Sequence, residues 1–223
     1  MRRQVMLGSR WAGLTEPLRL FNVFLLSMGL FQVFVVNLGP VSADALGPDH
    51  WRTDQRRLVV VDKTNDPGWQ QATRHAVEAW NRAAGGNGLH LTWTTGSGTC
   101  APDGLRISVC TTSVVNLGGG RSSSRQGLAD LELDRDGHHA GAFVLVCADC
   151  RASEARQRVI ATHEIGHTLG LFHTRRPSSV MLHTGGGEEP DAEDAAQLRS
   201  IYGHVDGPAR CGVFNLRLGT FCL

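Results

Sequence analysis

The chemistry of this chain is concentrated in eleven consecutive residues, His163-Glu164-Ile165-Gly166-His167-Thr168-Leu169-Gly170-Leu171-Phe172-His173. On a helix, side chains four residues apart lie one turn apart on the same face, so His163 and His167 present their imidazoles to one point, as a single zinc ion requires. Gly170 can adopt a positive φ that ends the helix and turns the chain back, bringing His173 to the same point as a third nitrogen ligand. Three protein ligands leave a fourth position for water, which is the pattern of a catalytic rather than a structural zinc. Glu164, held beside the ion, is the candidate general base, accepting a proton from a water whose pKa the metal lowers. With 10 His and 27 Gly in the chain, the five fixed letters would fall in this order in roughly one such chain in ten thousand.

Those five letters, His163, Glu164, His167, Gly170 and His173, fill every fixed position of H-E-x-x-H-x-x-G-x-x-H and so resemble the signature of the metzincin metallopeptidases. Met181, in Ser179-Val180-Met181, is the only methionine after residue 28 and matches the methionine turn of that clan. Thr174 after the third histidine and residues 191–203 (DAEDAAQLRSIYG) are similar to the matrixins in particular. Ala79-Trp80-Asn81 is also similar to small secreted snapalysin-type peptidases, but that family has Asp as its third ligand, and His173 favours the matrixin side.

The resemblance implies an α+β, metzincin-like fold. Its parts would be a twisted five-stranded mixed sheet with two helices, an active-site cleft, and a small C-terminal subdomain holding the methionine turn and a third helix. It implies zinc-dependent endopeptidase activity on polypeptide substrates, with one catalytic Zn2+ on His163, His167 and His173. A different hydrolase on the same zinc, or a non-catalytic zinc-stabilised binding module, are the competing readings. Glu164 counts against the second, because a structural site needs no base.

Other fragments are weaker. Asp134, Asp136 and Gly137 resemble part of a calcium loop without its later acidic ligand, which leaves Ca2+ open as a further ion. His138-His139 is read as an adjacent pair in an exposed turn, not as a second zinc site. Arg210-Cys211-Gly212-Val213 resembles the core of the matrixin cysteine switch, but it lies beyond the catalytic region and is read as part of a structural bridge.

The elements that must position these residues follow from periodicity. Residues 57–62 are a short β-branched strand. Asp66-Pro67 then signals a helix start, and Ala72, Ala76, Val77 and Trp80 recur at helical spacing up to Gly85-Gly86. Residues 89–95, 105–109, 127–133 and 142–146 read as four more strands, the third of them an open edge able to bind an extended substrate. A Gly/Ser-rich stretch at 118–124 separates strands three and four. Residues 153–169 form the long helix of the zinc motif and 191–202 the last helix. There is no internal repeat and no linker between two folded domains.

The outer limits of the chain point outside the cell. Arg2, Arg3, Arg10 and Arg19 precede an apolar run at 21–38, and Val41-Ser42-Ala43 offers a small-residue cleavage site, so residues 1–43 read as a signal peptide. An uncleaved anchor through 21–38 is the alternative localisation. Residues 44–56 are then a short segment without room for an inhibitory prosegment, 57–203 the catalytic domain, and 204–223 a disulfide-linked tail. Cys100, Cys110, Cys147, Cys150, Cys211 and Cys222 all follow the cleavage site, and sequential pairing is expected because each neighbouring pair brackets a short loop. Cleavage leaves 18 basic and 20 acidic residues, a net charge of −2, which excludes nucleic acid as a default partner. A secreted monomer without stable membrane association is expected.

Overall fold

The computed structural model describes residues 50–113 and 126–206, with the backbone of 211–212 and 221–222. The expected signal peptide and the Gly/Ser-rich stretch lie outside the described residues. Strands β1 (Arg57–Asp62), β2 (His90–Thr95), β3 (Arg106–Thr112), β4 (Gly127–Leu133) and β5 (His139–Cys147) form one five-stranded sheet in the order β2-β1-β3-β5-β4. Every pairing is parallel except β4 against β5, so the sheet is mixed and β4 is an antiparallel edge. Among the described residues no helix is long and apolar enough to cross a membrane.

Helix α1 (Pro67–Ala84) is delimited as its sequence indicates. The Asp66 carboxylate accepts the Trp69 N–H at 3.0 Å, Pro67 opens the first turn, and Gly85 closes the helix at φ 60°. Its inner stripe, including Trp69, Ala72, Ala76, Val77 and Trp80, is buried in the core. Asn81 ties the helix to the sheet: its amide N–H donates to the Leu91 carbonyl at 2.9 Å and its carbonyl accepts the Leu91 N–H at 2.8 Å. This satisfies both backbone groups of a β2 residue on the side where, among the described residues, no further strand pairs.

Helix α2 (Glu154–Thr168), capped by Ser153, packs along α1 and beneath β4 and β5. From Val159 to Gly166 it is buried on every side, so it is a central helix rather than an amphipathic one. Its C-terminal carbonyls, which no helical donor can reach, are satisfied from distant parts of the chain. Trp51 Nε1–H donates to the Thr168 carbonyl at 2.7 Å, His139 Nδ1 lies 3.2 Å from the same oxygen, and the Tyr202 hydroxyl donates to the Leu169 carbonyl at 3.2 Å. The third helix, α3 (Ala192–Ile201), starts at a capping box formed by Asp191 and Asp194.

Strands β3 and β5 run longer than their apolar cores indicated, because their polar ends still find ladder partners. Cys100–Cys110 and Cys147–Cys150 are disulfides, in agreement with sequential pairing. Cys211 stands opposite Cys222 in a two-residue antiparallel pair, β6 (Cys211–Gly212) with β7 (Phe221–Cys222).

Replacing Asn81 by Ala strips two hydrogen bonds from Leu91 and should lower stability by about 1–3 kcal/mol. Urea unfolding measures this. A midpoint unchanged from the wild type would mean that water replaces the Asn81 contacts without cost.

Candidate metal centre

The three histidines of the motif come together although they sit on different elements. His163 and His167 lie on α2, while Gly170, at φ 90°, ends that helix and reverses the chain so that His173 returns. The Nε2 atoms of His163 and His173 are 3.1 Å apart, those of His167 and His163 3.1 Å, and those of His167 and His173 3.0 Å. An ion about 2.0–2.1 Å from each of three ligands on a tetrahedron would place them roughly 3.4 Å apart, close to what is found.

The hydrogen bonds behind the rings decide their tautomers. His163 Nδ1 donates to the Val180 carbonyl at 2.7 Å and His167 Nδ1 to the Leu171 carbonyl at 2.8 Å. A carbonyl oxygen can only accept, so Nδ1 carries the proton and Nε2 presents a bare lone pair. Burial lowers the pKa of His163, and lowers that of His167 to about 3, helped there by the neighbouring His163. Both rings are therefore neutral, and their lone pairs face one another in a group that could hold a metal ion. Without a cation this is repulsive. The donor set fits a tetrahedral zinc with one position left over.

Met181 lies directly under the rings' helix and is fully buried. A Cβ at Gly166 would stand 2.5 Å from Met181 Sδ and 2.6 Å from Trp80 Cζ2, so glycine is what lets the turn and α1 approach α2 this closely. The turn itself is fastened by Asp194, which is wholly buried at the start of α3. Asp194 accepts the Ser179 hydroxyl at 2.6 Å, the Val180 N–H at 3.1 Å and the Arg176 guanidinium at 2.6 Å. The Met181 N–H in turn donates to Ser179 Oγ at 3.0 Å, and the Thr174 N–H donates to the Met181 carbonyl at 3.0 Å. One carboxylate thereby sets the carbonyl that orients His163 and the strand-like segment that carries His173. In the sequence Asp194 shows only as a residue of the last helix; its burial is a tertiary property with no local signal.

Glu164 points toward the first residue of the edge strand. A Cβ at Gly127 would fall 2.6 Å from Glu164 Oε1, so β4 begins in van der Waals contact with that carboxylate. Phe172, between the last two ligating positions, is 48% exposed beside the site.

The remaining sequence candidates lie elsewhere. Cys147 and Cys150 are joined to each other, which removes them as thiolate ligands. The Asp134 and Asp136 carboxylates approach Arg52 Nη1 at 3.6 Å and 3.1 Å, and Asp134 Oδ1 accepts the Asp136 and His138 N–H groups of its own turn. His138 and His139, read as an exposed pair, separate: His139 is fully buried, whereas His138 joins other histidines.

The family model for matrixins matches residues 50–203 of the chain. Matrix metalloproteinase-21 of Xenopus laevis is 33% identical over 85 residues, covering 36% of this chain and 13% of that protein. Matrilysin of Rattus norvegicus is 43% identical over 49 residues, covering 20% of this chain and 18% of that protein. The chain thus spans less than a fifth of the length of these curated relatives. A solved structure of myroilysin aligns with a TM-score of 0.43 and 14% identity over 77% of this chain and 89% of that one.

Two outcomes follow from the Asp194 and Asp191 network. Asp194→Ala leaves the buried Ser179 hydroxyl and Val180 N–H without their acceptor, while Arg176 keeps Asp191 and Glu193, which should cost about 2 kcal/mol or more. Metal affinity should fall at least about 10-fold because His163 loses its fixed partner. Calorimetry and metal analysis read both, and wild-type values would detach the turn from the centre. Asp191 is also informative: burial raises its pKa, but the Asp194 N–H, Arg176 and Ser178 outweigh this and hold it at about 2 instead of 3.8. A depressed carboxyl stabilises the fold above its unfolded pKa and loses that contribution as pH falls through the folded one. The stability gap between wild type and Asp191→Asn should therefore be full above pH 3.8 and close as pH drops toward about 2. A gap independent of pH in thermal melts would contradict it.

Proposed function

Because the chain belongs to the matrixin family, we propose that it is a secreted zinc-dependent endopeptidase. The observation that carries this reading is the convergence of three Nε2 atoms within 3.0–3.1 Å, with the Glu164 carboxylate on the same helix and next to an open strand edge. When bound, zinc supplies a Lewis acid that acidifies water and polarises a carbonyl.

The work of the chain's own residues is then as follows. His163, His167 and His173 would hold the ion, with His163 and His167 oriented by the Val180 and Leu171 carbonyls and the methionine turn. Glu164 accepts a proton from the attacking water as its oxygen adds to the scissile carbonyl carbon, and later gives a proton to the departing amine nitrogen as the C–N bond breaks.

The edge strand supplies the means of holding substrate. Among the described residues no other strand of the sheet pairs with the outer edge of β4, so an extended peptide can add to it through main-chain hydrogen bonds. Because Gly127 touches the Glu164 carboxylate, a peptide laid along this edge passes the base. That arrangement accepts chain on both sides of the cut, which supports an endopeptidase rather than an enzyme of chain ends. The two disulfides fit an oxidising compartment, and they support export guided by residues 1–43.

Cleavage of casein or gelatin, abolished by a chelator and restored by zinc, tests the reading. Glu164→Gln should keep its metal and lose activity by about 100-fold or more, as expected for a removed general base. Gly127→Ala should also keep its metal but lose at least about 10-fold, because its Cβ must displace the carboxylate. Full turnover in metal-loaded Glu164→Gln would remove that residue from the base role.

A further inference from the structure

At the end of the sheet away from the three-histidine centre's ligands in sequence, three more imidazoles meet one carboxylate. Asp206 Oδ1 lies 3.0 Å from His50 Nε2, 3.3 Å from His204 Nε2 and 3.6 Å from His138 Nε2. The four residues come from three separate segments: His50 precedes β1, His138 sits in the turn between β4 and β5, and His204 and Asp206 follow α3. Their side chains are almost withdrawn from solvent, at 4% exposure for His50, 8% for Asp206, 12% for His204 and 14% for His138.

Hydrogen bonding alone does not account for the cluster. Asp206 Oδ2 is committed to the Thr53 N–H at 2.5 Å and the Thr53 hydroxyl at 2.9 Å. Oδ1 then has about two acceptor directions left, and three ring nitrogens converge on it. Burying so many polar nitrogens around an oversubscribed oxygen is costly unless something else takes their lone pairs.

We propose that His50, His138, His204 and Asp206 form a second metal site, a closed tetrahedral zinc that clamps the segments on either side of the domain's core together. The spacing suits it. Ligands about 2.0–2.1 Å from a tetrahedral zinc stand roughly 3.4 Å from one another, and the three distances to Asp206 Oδ1 bracket that value. His50 meets His138 and His204 edge to face, with ring centroids 5.0 Å away in each case, so the rings fan around a shared point instead of stacking. The ligand atoms of His50, His138 and Asp206 already lie within 4.8 Å of one another; His204, 3.3 Å from Asp206 Oδ1, stands outside that group and completes the set by closing on the other two rings. Four protein ligands and no place for water make this a structural ion, unlike the open three-histidine centre.

The surroundings hold the ligands from behind. Arg56 donates to the Tyr202 carbonyl at 2.7 Å and to the His204 carbonyl at 2.5 Å, fixing the turn that carries two ligands. Asp206 N–H donates to Thr53 Oγ1 at 2.9 Å. One contact must change: Arg52 Nη1 lies 3.4 Å from His138 Nδ1, and a zinc-bound His138 carries its proton there. That contact is at the long limit of a hydrogen bond, and Arg52 keeps Asp136 at 3.1 Å when it is released. The site would join the chain before β1 to the chain after α3, residues 156 apart in sequence.

Zinc titration of the metal-stripped full chain, read by mass-spectrometric metal content and by thermal melting, is the test. Two zinc ions per chain are expected, with one lost in His50→Gln and one in Asp206→Asn, each melting lower than the wild type. Their casein cleavage should remain zinc-dependent and within about twofold of the wild type, since neither residue touches the three-histidine centre. His163→Ala should retain one zinc. A wild-type content of one zinc, or two zinc ions still bound by both His50→Gln and Asp206→Asn, would overturn the proposal, whether or not the protein cleaves casein.

Discussion

His163 gives its Nδ1 proton to the Val180 carbonyl, and most of the architecture serves to keep that oxygen where it is. The carbonyl belongs to a turn whose N–H groups and hydroxyl are fastened to one buried carboxylate, Asp194. Removing a buried charge's partners is expensive, so the turn, the start of α3 and Arg176 behave as a unit. With the proton fixed on Nδ1, the Nε2 lone pair has nowhere to point but toward His167 and His173. His163 and His167 are thus pre-organised by backbone acceptors, and an arriving ion meets these two ligands already deprotonated. Little ordering of the rings then remains to be done on binding.

Close approach is the second condition. Gly166 brings α2 against Met181 and Trp80, and Gly127 brings the edge strand against Glu164. Both are places where a single methyl group would have to displace something. Gly170 contributes differently, through its left-handed φ of 90°, which returns His173 to the face that its helix has just left. A fold whose core is formed by α1, α2 and the sheet therefore ends in a rigid rim of side chains, on which the metal centre and the open edge share one boundary.

Much of this was legible in the sequence because it is local. Asp66-Pro67 and Gly85 delimit α1, the four-residue spacing of His163 and His167 survives on any helix, and β4 begins and ends where its pattern does, at Gly127 and Leu133. The sequential disulfides were legible for the same reason, since Cys100 with Cys110 and Cys147 with Cys150 each close a short loop. What stayed hidden depends on residues far apart. Asp194 has the composition of an ordinary capping residue, and only the packing of the methionine turn makes it a buried hub. Trp51 and Tyr202 complete the end of α2 from opposite ends of the domain. His138 resembled a turn residue because its neighbours, His50, His204 and Asp206, lie between 66 and 88 positions away. No periodicity connects such separations.

The central claim is that the Nε2 atoms of His163 and His167 are unprotonated before any ion binds, and that they and the nearby His173 Nε2 are poised for one ion. Nitrogen-15 NMR of the imidazoles, in the metal-free chain near neutral pH and again after adding zinc, measures it directly. The account predicts that His163 and His167 carry their proton on Nδ1 in both states, and that the Nε2 signals of His163, His167 and His173 all move to the metal-bound range on zinc addition. An imidazolium or an Nε2-protonated ring at His163 or His167 in the metal-free protein, or a His173 signal indifferent to zinc, would contradict it.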